Sequence, residues 1–275
     1  MTAVNALSDL ARLLAGVRVV DLSLTLAEDL PGAWPTHMPF QAKPWSWFHD
    51  RPDDLLPLDS GCGSYFTRWL VIDEHTGTHF DAASHFLPPD ASSGFRPETA
   101  EQVDLSKFVG PAAVIRVSMD DLPQVPGESP TITPEIVEAW ERRNGRIAAG
   151  TVVLFSSQWD QRYTRATRAQ YTHDVVITKT TAGWPAPSAE TMDALHTRGV
   201  RCVGIDAPSM GAAHDGEPVH VCGLGKGIVF VEGLANLDQL PEAGAFFVFM
   251  PLKLRGGSGA PGRAIAFVSN DSPKS

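Results

Sequence analysis

Eight short apolar runs, rich in β-branched residues, recur along the 275-residue chain: VRVVDLSL (17–24), YFTRWLVID (65–73), AAVIRVSM (112–119), TVVLFSS (151–157), VRCVGID (200–206), IVFVEGL (228–234), FFVFMPL (246–252) and AIAFVS (264–269). Each is bounded by Gly, Pro, Asp or Ser, and runs this short and this punctuated read as strands. Several are apolar throughout instead of alternating, the pattern of strands covered on both faces. Two helices stand between them. TPEIVEAWERR opens with Thr133 as N-cap, Pro134 at the first helical position and Glu135 in the first turn. PSAETMDALHTRG (187–199) starts at Pro-Ser and stops at Gly199, directly before the run at 200. A helix leading straight into a buried strand predicts an α/β fold.

The sector from about 25 to 63 breaks this rhythm. It holds Pro31, Pro35, Pro39, Pro44, Pro52 and Pro57 beside Trp34, Phe40, Trp45, Trp47 and Phe48, with little periodicity. The expectation is a long Pro/Trp-rich loop serving as a lid or substrate loop. No repeat and no domain boundary is evident, so 1–275 reads as one catalytic domain with a short tail at about 270–275.

Charge narrows the function. A net charge of −10 and a pI near 5.3, with no Lys/Arg cluster, exclude a run of phosphates and hence a nucleic-acid role. Cys62, Cys202 and Cys222 are odd in number and widely spaced, which is neither a disulfide framework nor a zinc knuckle and points to a reducing compartment. The first residues carry helically spaced Val4, Leu7, Leu10, Leu13 and Leu14, but Asp9 and Arg12 interrupt them and no signal-peptide pattern results. No run approaches the roughly 20 apolar residues of a membrane span. The expectation is a cytoplasmic protein with a small-molecule partner and no membrane.

Chemistry concentrates in EHTGTHFDAASHF (74–86), which holds three of only 9 histidines. His75, His79 and Asp81 are a common donor set for a divalent ion that leaves positions open for water and substrate. Gly77 between two threonines is a poor helix, so the expectation is a strand end entering a tight loop, with Gly77 folding the donors inward. His85 is either a further ligand or a base. A second group, His214, Asp215, Glu217, His220 and Glu232, is looser. Glu232 interrupts an apolar strand, where a carboxylate needs a partner or metal unless it reaches solvent at the strand end. His214 and Asp215 sit in a Gly-rich loop and read as solvated; Cys222 reads as core.

These residues resemble a known family. HTGTHFDAASH resembles the H-x-G-T-H-x-D-x-x-x-H signature of the metal-dependent cyclase family, which includes bacterial kynurenine formamidase and isatin hydrolase. DLSLTLAEDLPGAWPT resembles its opening strand and Trp-Pro loop, VRCVGIDAPSM its G-[IV]-D-x-P-S segment, and VEGLANLDQLP its E-[NG]-L-x-N-L segment. Ala83 stands where formamidases carry Pro, and chain length and the HTGTH variant place the resemblance nearer the isatin hydrolase branch. The resemblance implies a swivelling β/β/α fold, a mixed β-sheet core flanked by helices, assembled as a homodimer or homotetramer. It implies metal binding by His75, His79 and Asp81, with Asp81 able to bridge two ions. His220 and Glu232 complete a second position, and His85 is the acid/base.

The expected activity is metal-dependent hydrolysis of an amide C–N bond in an isatin-like lactam or an N-formyl/N-acyl aryl amide, with one or two Mn²⁺ or Zn²⁺ ions. Trp34, Trp45, Trp47 and Phe48 are the expected walls for a flat substrate. The alternative is a lyase or cyclase that uses the same metal on a carbonyl without consuming water.

Overall fold

The computed structural model describes residues 15–47 and 65–270. Its strands are β1 (Val17–Asp21), β2 (Gln41–Trp47), β3 (Phe66–Val71), β4 (His79–Asp81), β5 (Val109–Arg116), β6 (Thr131–Ile132), β7 (Val152–Ser156), β8 (Ala186–Pro187), β9 (Cys202–Ile205), β10 (Val229–Glu232), β11 (Ala243–Pro251) and β12 (Gly259–Ser269). Its helices are α1 (Pro134–Asn144), α2 (Arg168–Tyr171), α3 (His173–Val176), α4 (Ala189–Thr197) and α5 (Glu217–Gly225). The main sheet runs β1-β12-β11-β5-β7-β9-β10-β4, and β4 pairs back onto β12. The long β12 makes this closure possible: its start pairs with β4 (Gly259↔Asp81) and its end with β1 (Val17↔Ser269). Seven strands thus form a closed ring with β1 attached. Neighbours β5, β7, β9 and β10 are parallel and the remaining pairings antiparallel, so the sheet is mixed as expected.

Successive side chains on a strand point to opposite faces, and the ring uses this to separate two cores. Val152 and Leu154 join Phe80, Phe108, Phe247 and Phe249 in the interior. Val153 and Phe155 face outward and pack with Val137 and Trp140 of α1 and Met192 and Leu195 of α4. Every residue of β7, β9 and β10 is buried, as their unbroken apolar runs predict.

All eight apolar runs contain strands. Helix α4 is capped by Ser188 Oγ, which accepts the Thr191 N–H, and Gly199 follows it at φ +79°. Thr133 occupies the N-cap of α1 but makes no capping hydrogen bond. The sector from 25 onward corrects the expectation of an unbroken loop. Residues 41–47 form β2, paired antiparallel with β3. Pro44 hides the strand in the sequence, because proline normally excludes one; here it sits at a register shift in a two-stranded ribbon, where a missing N–H is tolerated. Phe48, Pro52, Pro57, Cys62, the residues before 15 and the tail after 270 lie outside the described residues.

Candidate metal centre and active site

The site is a product of register. In β4, Phe80 points into the ring core and is fully buried, which turns His79 and Asp81 to the outer face. In β10, Val229 and Val231 point inward and turn Phe230 and Glu232 outward. The antiparallel pairing sets Glu232 opposite His79 and Phe230 opposite Asp81, so three polar donors share one patch of sheet. Helix α5 lies over that patch with Pro218 in its first turn and brings His220 to within 5.5 Å of the Phe230 ring, centroid to centroid. His75 enters from the turn before β4.

Gly77 has φ +64°, and a Cβ there would collide with the Leu26 side chain, so the turn requires glycine. The two threonines beside it are buried fasteners. Thr78 Oγ1 accepts the Leu24 N–H at 2.8 Å and donates to Gly233 O at 2.5 Å, while Thr76 Oγ1 accepts the Asp73 N–H at 3.2 Å. The expectation of a non-helical turn opened by Gly77 agrees with this geometry, although the donors at 79 and 81 lie on a strand of their own.

The donor atoms converge. His79 Nε2 lies 3.6 Å from Asp81 Oδ1 and 3.4 Å from Glu232 Oε2; His220 Nε2 lies 3.5 Å from Asp81 Oδ2 and 3.3 Å from Glu232 Oε1. His75 Nδ1 lies 2.8 Å from Asp81 Oδ1. The histidine–carboxylate spacings near 3.4 Å are long for hydrogen bonds but match the edge of a tetrahedron whose centre is about 2.1 Å from each donor, the usual metal–nitrogen distance. Asp81 Oδ2 is buried with no hydrogen-bond partner, an orphan a cation would satisfy. His79 and His220 are preset for ligation: each points Nδ1 at a backbone carbonyl, Gly77 at 2.9 Å and Gly216 at 2.6 Å, leaving Nε2 for the centre. The donors therefore group as His75–His79–Asp81 and Asp81–His220–Glu232, sharing Asp81. The set fits a divalent metal.

Electrostatics say the same. Burial opposes charge on His220, yet the Asp81 and Glu232 carboxylates facing its Nε2 lift its pKa to about 10. His79 moves up in the same way, burial being outweighed by Glu232 and Asp81. Burial pushes the Asp81 carboxyl up, but His85, His220 and His75 hold it well below the usual range. Two buried carboxylates at this spot demand positive charge, and a metal cation supplies it while leaving the histidines neutral.

His85 closes a 3-10 turn (Ala83–His85) beside the centre. Its ring stacks on His75 at 3.9 Å and 25° and meets the Phe86 edge at 4.7 Å. Burial lowers its pKa; Asp81 offsets this in part, while His75 reinforces it, so the ring is neutral at pH 7. Among the described residues no group hydrogen-bonds its ring nitrogens. Neither metal group includes it.

A cavity of about 280 Å³ opens onto His79, His85, His220 and Glu232, with Trp34, Phe86 and Tyr171 among its walls. Trp34 is thus brought to the site, braced edge-on by Trp184 at 6.1 Å. Trp45 is not: it lies 38% exposed on the β2–β3 ribbon, in a shallow groove with Thr67, Arg68 and Trp69. The backbone of Trp47 belongs to β2, and its side chain, like Phe48, lies outside the described residues. His214 and Asp215 are exposed as expected, although His214 Nδ1 accepts the Ser129 N–H at 3.1 Å. Cys222 is half-buried against the outer core. Sequence reasoning missed Tyr163, Tyr171 and Phe86. Only Phe86, next to His85 and stacked on His220 at 4.1 Å, carried a local signal.

Three donors on one outer patch of a closed mixed sheet, joined by His75 from the turn before β4 and His220 from α5, with His85 beside them, define the class of metal-centred hydrolytic enzymes. The chain belongs to the putative cyclase family, whose model matches residues 20–212. It is 30% identical to isatin hydrolase of Roseibium aggregatum over 98% of this chain and 99% of that one. It is 27% identical to kynurenine formamidase of Salinibacter ruber, covering 90% and 96%. A crystal structure of an isatin hydrolase bound to the product analogue thioisatinate superposes with a TM-score of 0.77 at 26% identity, covering 98% of this chain and all of that one. Among the described residues no helix is long and apolar enough to cross a membrane.

Proposed function

We propose that this chain is a metal-dependent amidohydrolase that opens a flat, neutral cyclic amide of the isatin type. The observation that carries the reading is the convergence of His79, Asp81, His220 and Glu232 donor atoms at 3.3–3.6 Å, with the unpartnered His85 on the wall of the adjoining cavity. A divalent ion held there would supply Lewis acidity, lowering the pKa of water and polarising an amide carbonyl. His75, His79 and Asp81 would hold one ion, and Asp81, His220 and Glu232 a second. A nitrogen/oxygen donor set without thiolate suits Zn²⁺ or Mn²⁺.

His85 supplies the proton traffic. Neutral at pH 7, it takes the proton of the attacking water and returns it to the nitrogen that leaves when the C–N bond breaks. Its stacking on His75 fixes the plane in which it reaches the substrate. The cavity supports a lactam over an amide bearing an amino-acid side chain. Among the described residues its walls are mostly aromatic, aliphatic or imidazole, with Ser209 and the two tyrosines adding hydroxyls; no Lys or Arg lines it, and Glu232 is its one carboxylate. A zwitterionic tail finds no counter-charge there apart from the metal donors, whereas a planar ring stacks on Trp34.

The test is a panel of isatin, an N-formyl aniline and N-formylkynurenine with metal-replete protein in H₂¹⁸O. One ¹⁸O atom should enter the carboxylate formed from isatin, with isatin preferred. Turnover of a carbonyl substrate without label would instead establish the lyase or cyclase alternative.

A further inference from the structure

The three metal-site imidazoles are not held alike. His79 and His220 direct Nδ1 to backbone carbonyls and keep Nε2 for the centre. His75 is turned round: Nδ1 faces Asp81 Oδ1 at 2.8 Å, and Nε2 lies 2.9 Å from Ser258 Oγ. Ser258 Oγ is in turn 2.8 Å from Glu74 Oε2, which also accepts the Ser258 backbone N–H at 2.7 Å. A hydroxyl has one proton to give, and an ionised carboxylate only accepts. The Ser258 proton therefore goes to Glu74, and Ser258 Oγ accepts from His75 Nε2–H. The relay leaves Nδ1 as the nitrogen offered to the centre.

We infer that Glu74 and Ser258 are positioning residues that fix the His75 tautomer, so that His75 ligates through Nδ1 while His79 and His220 ligate through Nε2. The inference rests on reading His75 as a ligand, not on the identity of the substrate. The ring has little room for another pose. A Cβ at Gly259 would stand 2.7 Å from His75 Cε1 and collide with Phe80 O, so β12 starts with glycine where it must lie against this imidazole. His85 stacks on His75 at 3.9 Å. Glu74, Ser258 and Gly259 thereby orient not only a ligand but the ring against which the proton acceptor rests. A carboxylate behind a ligating histidine also raises its basicity and hence its hold on the metal.

Two measurements that do not depend on turnover test this. Nitrogen-15 NMR of zinc-loaded protein with labelled histidines should show the His75 proton on Nε2, and the protons of His79 and His220 on Nδ1. Zinc titration of metal-stripped protein should show Ser258→Ala weakening affinity by about 10–100-fold, Glu74→Gln by less, and Ser258→Thr, which keeps the hydroxyl, by no more than about twofold. A relay that merely ties the 252–258 loop to the turn at 74 predicts lost thermal stability with unchanged affinity, and that outcome overturns the inference. So does a His75 proton on Nδ1, or a wild-type chain that binds no zinc. If Ser258→Ala does not fold, the wild-type tautomer and Glu74→Gln decide. Zinc held through His75 Nδ1 without amide hydrolysis would sink the proposed reaction alone; hydrolysis with the proton on Nδ1 would sink this inference alone.

Discussion

The β4–β10 face and the segment from Pro31 to Trp47 both border the cavity region, and they are built by different physics. The first is set by strand register: Phe80 and Val231 are locked into the ring core, so His79, Asp81 and Glu232 have one direction in which to point. The second is tied on by Gly77 N–H to Gly32 O at 2.6 Å and Ala42 N–H to Glu28 Oε1 at 2.9 Å, and by the pairing of β2 with β3 in a two-stranded ribbon outside the main sheet. Within it, Trp34 faces the cavity while Trp45 faces solvent. Chemistry is placed on the part that cannot slip, and substrate contacts on the part that can be re-aimed without disturbing the core.

The largest effects are expected on the register-built face. Replacing Asp81 by Asn removes the carboxylate common to both donor groups, and kcat/KM should fall by on the order of 10⁴-fold with loss of bound metal. Retention of full metal content by that variant would break the assignment. His85→Ala should keep its metal but lose about 10²–10³-fold in kcat, the range of a positioned acid/base. Loss of metal in His85→Ala would make His85 a ligand instead. Metal affinity itself should fall as pH is lowered, because the carboxylates hold His79 and His220 above their ordinary pKa and protons compete for the same nitrogens.

The looser segment gives smaller, divergent effects. Trp34→Ala should raise KM by about 3–10-fold, the value of one aromatic stacking contact, with kcat little changed. Trp45→Ala should leave KM within about twofold of wild type, since its groove is remote from the donor atoms in lining and in exposure. Equal KM changes in the two variants would erase the distinction between them.

The same contrast explains what could be read from the chain. The donors of 75–81 were legible because local spacing carries them, and Glu232 because a carboxylate inside an apolar run is chemically conspicuous. His220 needed the family resemblance, as its helix is short and its partner strand lies beyond it in sequence. Closure of the ring was not legible, because β4 is three residues long and pairs with β12 from the far end of the chain. Nor was the fate of Trp45, which depends on a strand that Pro44 disguises. The relay through Ser258 escaped for a related reason: nothing near Ser258 in sequence hints that it reaches His75.

Asp206 offers the smallest and most specific test, because it links the two regions without belonging to either. It follows β9 and accepts from Ser157 N–H at 2.7 Å, Ser157 Oγ at 2.9 Å and Gln158 N–H at 2.7 Å. That turn, with Gln158 at φ 59°, launches Trp159, whose ring braces Trp184 at 5.8 Å behind Trp34. Burial, helped by the Asp160 carboxylate, pushes Asp206 up to about 7, against the pull of its three donors. The unfolded chain releases this proton near pH 4, the folded one near 7, so between those values the folded state holds the extra proton. Stability contributed by Asp206 is therefore full at acid pH and lost as pH rises through this window, at no more than about 1.4 kcal/mol per unit. Asp206→Asn cannot titrate, so its unfolding free energy relative to wild type should improve between about pH 5 and pH 7 and level off above. Parallel stability curves for the two proteins would show that Asp206 stays ionised, held by its three donors, and that the wall behind Trp34 is insensitive to pH.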